Sequence, residues 1–488
     1  MPQEPTPITV SGQRGVSGVE TLVKSGVSGV GLAPMGVLRA GGGGGGGGGG
    51  DGEGLRVGSL YVHVPFCFHK CHYCDFYSFV DKADQQGAFV EALLVELRAW
   101  AWAVGAGTGG ELEEHRSPAD RTAVARPPVV GRGGLRTLFV GGGTPSLLRV
   151  ELWREVLAEL DALFDVRARS RGGELEFTVE CNPETVTAEL MGVLSDGGVN
   201  RVSIGAQSFN DAHLKTLERW HDPANVAKAV SLARAAGIRR RSIDLIFGVP
   251  GQTVEQWRED MARALQIADD PAGGEMGLEH LSCYNLTYEP NTAMTARLKR
   301  GEFVALPEES EIEMFRVTRE VLRSRGFEAY EVSNFARGEA ARCRHNLAYW
   351  RQEQWLAVGP SASSHVGGWR WKNTPNLGEW MRSVMSGSGG AGERAAAGVS
   401  AVIDLEPPDA KRGLRERIML GLRLSEGISA EEMLGAARGL GLDAALRRAA
   451  SRVIGKGLMT EEGGVWRLTD AGVLVGDSVA AEMMAAVR

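Results

Sequence analysis

The chain has 488 residues, 43% of them hydrophobic, and a formal net charge of −7. That is enough apolar content for one large core and a smaller second unit, with no global attraction for nucleic acid and no apolar run of membrane-spanning length. Six cysteines divide into one close triplet and three singles, Cys181, Cys283 and Cys343, which excludes a disulfide framework and fits a reducing compartment.

Residues 1–55 form a low-complexity leader. It carries only Glu4 and Glu20 as acids before the ten-glycine run Gly41 to Gly50, so it cannot build a core. With Arg14, Lys24 and Arg39 it suits an organellar transit peptide, although it is less Arg-rich than usual. The destination would then be the chloroplast or mitochondrion. The alternative is a disordered extension, and with it a cytoplasmic protein.

Strands and helices alternate from residue 59 onward, and each strand ends in a glycine or polar group. Ser59 to Pro65 leads into Cys67-Phe-His-Lys-Cys71-His-Tyr-Cys74, then a helix near Gln85 to Trp102 with Phe89, Leu93, Leu94 and Leu97 on one side. Three thiolates on one short loop are soft ligands suited to three corners of an iron–sulfur cubane, leaving one iron open. The competing reading is a zinc site completed by His63, His69 or His72, but structural zinc normally uses two paired hooks and no second hook is present.

Leu135 to Val140 runs into Gly141-Gly-Gly-Thr-Pro-Ser146 and a helix carrying Leu152, Val156, Leu157, Leu160 and Phe164. Glycines there let backbone groups approach a ligand, and the following helix start favours anionic groups. Glu174 to Val179 ends at Glu180, Arg201 to Ala206 at Gln207, and Arg240 to Ile243 at Asp244, before a helix with Trp257, Met261 and Leu265. His280 to Tyr284 is a sixth strand. This pattern predicts an α/β fold, a partial (β/α)6 barrel with its site at the strand C-termini. Gly/Ala/Arg-rich stretches at 105–134 and 386–400 are loop insertions. The barrel is expected over 56–300, with an extension over 301–385. Residues 401–488 change to helices followed by two short strands around Glu462-Gly-Gly464. They predict a winged-helix-like α+β module, which lacks a basic stripe and therefore suits a lid or partner-binding role.

The cysteine loop, the glycine triplet, Glu180, Gln207, Arg219 and Asp244 follow one another as in the radical S-adenosylmethionine (SAM) superfamily, which this chain resembles. Within it, the chain resembles the oxygen-independent coproporphyrinogen III oxidase-like branch and, most closely, the HemW haem chaperones. Cys74-Asp-Phe76, Glu180-Cys-Asn-Pro-Glu-Thr185, Gly205-Ala-Gln-Ser-Phe209, Ile243-Asp-Leu-Ile-Phe-Gly-Val-Pro250, Leu286-Thr-Tyr-Glu-Pro290, Tyr330-Glu-Val-Ser-Asn334 and His345-Asn-Leu-Ala-Tyr-Trp350 carry that resemblance, over roughly residues 59 to 480.

The resemblance implies a [4Fe–4S] cluster on Cys67, Cys71 and Cys74 whose open iron chelates SAM, and cleavage of SAM to a 5′-deoxyadenosyl radical by an electron from a donor such as ferredoxin or flavodoxin. It implies SAM contacts from Tyr61, Gly142, Gly143, Thr144, Glu180, Gln207, Arg219 and Asp244. It also implies haem binding by the His345 motif, with Tyr349 and Trp350 on the porphyrin face and Cys343 as a competing ligand. The function implied is a haem chaperone delivering haem to acceptor apoproteins. The alternative is coproporphyrinogen III dehydrogenase. Phe76 stands where the dehydrogenases carry a fourth cysteine, and the low-complexity leader holds the space where they carry a substrate-handling arm; both departures favour the chaperone without dehydrogenase activity.

Overall fold

The computed structural model describes residues 57–103, 134–269, 278–386 and 402–488. The leader and nearly all of both insertions lie outside these residues.

Strands β1 (Ser59–Val64), β2 (Thr137–Gly142), β3 (Glu176–Cys181), β4 (Arg201–Gln207), β5 (Arg240–Phe247) and β6 (His280–Asn285) pair in sequence order, all parallel. Their residues are almost continuously buried, as expected of parallel strands covered by helices. The covering helices are α1 (Gln86–Ala103), α2 (Val150–Phe164), α3 (Ala188–Asp196), α4 (Asp211–Leu217), α5 (Ala224–Ala235) and α6 (Val254–Ala268). On α2 the buried side is Leu152, Trp153, Val156, Leu157, Leu160 and Phe164, an i, i+4 stripe turned to the sheet. Helix α6 starts at a capping box between Thr253 and Gln256, which satisfies two of the donors a helix start leaves open.

The sheet continues past the six expected strands. After α7 (Glu308–Ser324), β7 (Glu328–Ala329) and β8 (Asn334–Ala336) extend it antiparallel beyond β6. On the other side β9 (Trp355–Val358) pairs parallel with β1, followed by β10 (Ser363–Val366), β11 (Trp369–Asn373) and β12 (Val402–Glu406). The order β12-β11-β10-β9-β1-β2-β3-β4-β5-β6-β8-β7 is a twelve-stranded open sheet. The extension over 301–385 therefore supplies strands on both flanks.

Helix α8 (Arg344–Trp350) lies at the opposite end from the cysteine loop. Its first two backbone amides, of Arg344 and His345, donate to Glu176 at the first position of β3, both at 3.1 Å. A carboxylate at a helix start is favoured by the exposed N–H groups and the helix dipole.

The C-terminal unit has its own core, built on Leu414, Ile418, Met433, Leu446, Val453, Trp466 and Met483. Helices α9 (Ala410–Gly421), α10 (Ala430–Arg438) and α11 (Asp443–Gly455) accompany a three-stranded sheet ordered β13 (Ile428–Ser429), β15 (Val465–Leu468), β14 (Met459–Glu462), in which β13 lies between α9 and α10 in the chain. It docks on the barrel through Arg351–Glu426, at 2.8 and 2.9 Å, and through Ser425 N–H to the Tyr330 carbonyl at 3.1 Å.

Candidate functional site

The chain after β1 is stitched to the chain after β2. Gly143 N–H donates to Val64 O and Thr144 N–H to Phe66 O, both at 2.7 Å. Gly142 has φ 109°, and a Cβ there would sit 2.5 Å from the His63 ring; only glycine meets both demands. The close approach made by this triplet is thus to β1 and its loop. Expected to bare backbone to a ligand, it first lets the cysteine loop lie on β2.

Cys67 and Cys71 are buried, Cys74 is half-buried, and none is in a disulfide. Thr144 Oγ1 lies 3.7 Å from Cys67 Sγ and Arg219 Nη1 3.8 Å from Cys71 Sγ. Burial pushes the Cys74 thiol up to about 11, opposed by Lys70 and a backbone bond and reinforced by Cys71 and Cys67. Three thiols on one loop beside a hydroxyl and a guanidinium fit a metal group that takes them as thiolates.

Of the histidines offered for a zinc alternative, His63 and His72 have ring nitrogens engaged elsewhere, while His69 is stacked and its buried Nε2 has no hydrogen-bond partner. His63 binds the Tyr61 hydroxyl (3.2 Å) and the Tyr77 carbonyl (2.8 Å), His69 stacks on Trp220 (4.3 Å, 9°), and His72 Nδ1 takes an Arg297 N–H (3.1 Å). Among the described residues no three His, Cys, Asp or Glu side chains gather closely enough to hold one ion.

Below this loop the barrel interior is polar. Strand register sets Glu180, Ser203 and Ser242 side by side, with Gly205, Asp244 and Ser282 in the adjacent layer. Glu180 accepts from Gly142 N–H at 3.1 Å, and burial together with Asp244 pushes its carboxyl up to about 7. Asp244, expected at a strand end, lies four residues inside β5. It is tolerated there because Ser203 (2.9 Å) and Ser282 (2.6 Å) donate to it, although burial still raises its pKa. In the sequence these serines are legible only as small polar residues in otherwise apolar strands. Tyr61 stacks on Phe139 (6.2 Å, 24°).

Gln207 and Arg219 complete the mouth. Gln207 has φ 65°, and Ser208 N–H donates to Ala206 O at 2.8 Å across it, a strained three-residue turn. Asp260 of α6 holds this corner, accepting from Ser208 Oγ (2.7 Å) and Phe209 N–H (2.6 Å). Nothing in the sequence pattern singled out Asp260. Arg219 donates to Gly205 O at 2.8 Å and keeps a buried Nε without a partner. That unspent donor and the raised Glu180 and Asp244 are what a zwitterionic nucleoside with a hydroxylated sugar and a carboxylate would engage.

The His345 segment packs beneath this site, its ring stacked on Tyr61 at 6.3 Å and 28°. His345 is 1% exposed at the closed end, its Nδ1 2.8 Å from Thr137 Oγ1, its ring on Phe139 (5.0 Å, 23°) and against Tyr349 (4.7 Å, 78°). Burial drives its pKa down to about 3. Tyr349 packs on Trp355 (4.6 Å, 86°), and Trp350 lies under the Arg423 guanidinium of the C-terminal unit (5.9 Å). Cys343 is wholly buried, donates to Glu176 at 3.4 Å, and has its thiol pushed up to about 12, chiefly by burial. These residues, expected as haem contacts, pack here between the N-terminal ends of β2 and β3 and the C-terminal unit.

Comparison with known proteins agrees with this architecture. Residues 61–264 match the Radical SAM superfamily and residues 409–475 the HemN C-terminal domain. Heme chaperone HemW of Mycobacterium tuberculosis is 32% identical over 420 residues, 86% of this chain and 93% of that one. HemW of Lactococcus lactis is 30% identical over 77% of this chain and 83% of that one. A mitochondrial protein of Mus musculus named for its radical SAM domain is 33% identical over 62% and 60%. In structure, coproporphyrinogen III oxidase (HemN) from Escherichia coli matches with a TM-score of 0.67 over 88% of this chain and 90% of that one, at 20% identity; this likeness concerns the fold. The chain belongs to the HemW family of the radical SAM superfamily.

Proposed function

We propose that this protein is a haem chaperone, binding a [4Fe–4S] cluster, SAM and haem and delivering haem to acceptor apoproteins. The observation that carries this reading is the 32% identity over 93% of a relative named as a heme chaperone. Cluster and SAM, when bound, supply one-electron chemistry. In this reading Cys67, Cys71 and Cys74 hold the cluster. Thr144 and Arg219 balance charge at Cys67 and Cys71, Glu180 takes the ribose, and Tyr61, Gly142, Gly143, Gln207 and Asp244 line the rest of the SAM site. An electron donor of the ferredoxin or flavodoxin kind is part of the proposal, as is organellar targeting by residues 1–55.

The test is anaerobic reconstitution followed by haem titration and a coproporphyrinogen III assay on one sample. Iron and sulfide should bind and be lost when any of the three cysteines becomes Ser, haem should bind saturably, and no protoporphyrinogen IX should form. Turnover of coproporphyrinogen III without saturable haem binding makes the dehydrogenase reading the right one.

A further inference from the structure

A ladder of polar side chains runs down the barrel from Asp244. Strand pairing sets Ser242 of β5 opposite His280 of β6, and Asp244 opposite Ser282 two residues further along. His280 Nδ1 lies 2.7 Å from Ser242 Oγ and its Nε2 2.9 Å from the Tyr330 hydroxyl. Cys343 N–H donates to that same hydroxyl at 3.3 Å. Ser242, His280 and Tyr330 are all buried. Tyr330 is held from the other side too, its carbonyl accepting from Ser425 N–H and Oγ of the C-terminal unit, both at 3.1 Å.

The partners fix which group donates at each rung. A backbone amide can only give a proton, so the Tyr330 hydroxyl accepts from Cys343 and turns its own proton to His280 Nε2. The reverse arrangement would bury that proton with no partner among the described residues, which is the costly choice. Burial, with Arg201 and Arg240 nearby, holds the His280 pKa well below its usual value. The ring is therefore neutral, and with Nε2 accepting, its one proton sits on Nδ1. Nδ1–H donates to Ser242 Oγ, which leaves the Ser242 hydroxyl proton for Asp244 Oδ1, at 3.4 Å.

Asp244 thus meets three hydroxyls that all give. Ser282 donates to Oδ1 at 2.6 Å, and Ser203 reaches Oδ1 at 3.0 Å and Oδ2 at 2.9 Å. Burial raises the Asp244 pKa and the Ser282, Ser203 and Ser242 bonds oppose it, since donors favour the carboxylate over the acid. Oδ2, which shares only the Ser203 hydroxyl, keeps acceptor capacity for a donor on a ligand.

We infer that Tyr330 and His280 are positioning residues for the SAM site, acting through Ser242 to hold Asp244 as an acceptor for a hydroxyl or amino group of the bound nucleoside. This rests on the reading that puts Asp244 in that site. Neither ring has to touch the ligand, because each acts through the next rung.

The experiment titrates SAM into cluster-loaded wild type, Asp244→Ala, Ser242→Ala, His280→Leu, His280→Asn, Tyr330→Phe and the double variant Ser242→Ala with Tyr330→Phe, with iron content and urea midpoint measured for each. Thr318→Val, which removes the buried hydroxyl that accepts from Trp257 Nε1 at 2.8 Å, is the control for lost stability alone. His280→Leu and Tyr330→Phe should each weaken SAM binding about three- to tenfold, the worth of one neutral hydrogen bond. His280→Asn, with an amide donor at the Nδ1 position, should recover most of that loss, and Tyr330→Phe should cost nothing further once Ser242 is Ala. Thr318→Val should unfold earlier and bind SAM as wild type does. Where His280→Leu fails to load its cluster, Tyr330→Phe, which keeps the ring, decides. Wild-type affinity in His280→Leu and Tyr330→Phe, with binding lost in Asp244→Ala, overturns the positioning role and leaves Asp244 in the site. Losses that add in full to that of Ser242→Ala, or an equal loss in Thr318→Val, overturn it as well. Wild type that binds no SAM, or Asp244→Ala that binds it undiminished, takes down the SAM-site reading itself and this inference with it.

Discussion

Arg219 donates to the Gly205 carbonyl through one guanidinium nitrogen, at 2.8 Å, and sets another 3.8 Å from Cys71 Sγ. One side chain thus ties the end of β4 to the cysteine loop. Its planar fork reaches both at once, which an ammonium cannot do. Arg219→Lys should keep the fold and the bound iron but weaken SAM binding. Losing one hydrogen bond to a charged group costs roughly 1.5–3 kcal/mol, or about ten- to a hundredfold in affinity. SAM titration of cluster-loaded protein is the measurement, and an unchanged affinity would remove Arg219 from the site.

Glu180 carries a pH signature. Its folded pKa is raised from 4.5 to about 7 by burial first and Asp244 second. A raised carboxyl favours folding when protonated. That contribution is fully present below about pH 4.5 and is lost as pH rises through 7. Urea unfolding of SAM-free protein should therefore show wild type losing stability relative to Glu180→Gln between those pH values, by on the order of 1–3 kcal/mol. A difference between the two that stays flat with pH would contradict the raised carboxyl.

Asp260 is expected to act on SAM through Gln207. It has no place at the mouth itself, being 2% exposed on α6, yet it fixes the corner that keeps Gln207 in a left-handed conformation. Such strain costs about 1–3 kcal/mol and persists only where the surroundings enforce it. Asp260→Ala should weaken SAM binding to the level of Gln207→Ala, and adding Gln207→Ala to it should cost little more. Additive losses in that double-mutant cycle would show the two residues acting independently.

Much of this was legible in the sequence because chemistry and topology coincide there. The six parallel strands announce themselves as apolar runs ending in polar groups, and Cys67, Glu180 and Gln207 fall at those ends as the pattern requires. Asp244 was read as the end of its strand because a carboxylate inside an apolar run is unusual; the donors that make it tolerable, Ser203 and Ser282, sit on other strands. Strands β9 to β12 were missed for a related reason. β9 enters the sheet beside β1, almost 300 residues away in the chain, and no local periodicity reports such a pairing. The haem role of the His345 motif came from the family resemblance, together with an imidazole and nearby aromatic rings. Which end of the barrel it faces depends on Glu176 and Thr137, on two strands distant in sequence.

His345 can be separated from haem by a stability measurement. The ring fills the floor between Phe139 and Tyr349 and satisfies Thr137. His345→Ala leaves a cavity and an unpaired buried hydroxyl, which together should cost about 2–4 kcal/mol. His345→Gln, able to keep the bond to Thr137, should recover part of that loss. Denaturant midpoints of the three proteins give the order wild type, Gln, Ala, while haem affinity stays within about twofold of wild type in variants that retain their fold. If both variants unfold at the wild-type midpoint yet bind haem poorly, the residue is a haem contact after all and the barrel floor opens in solution.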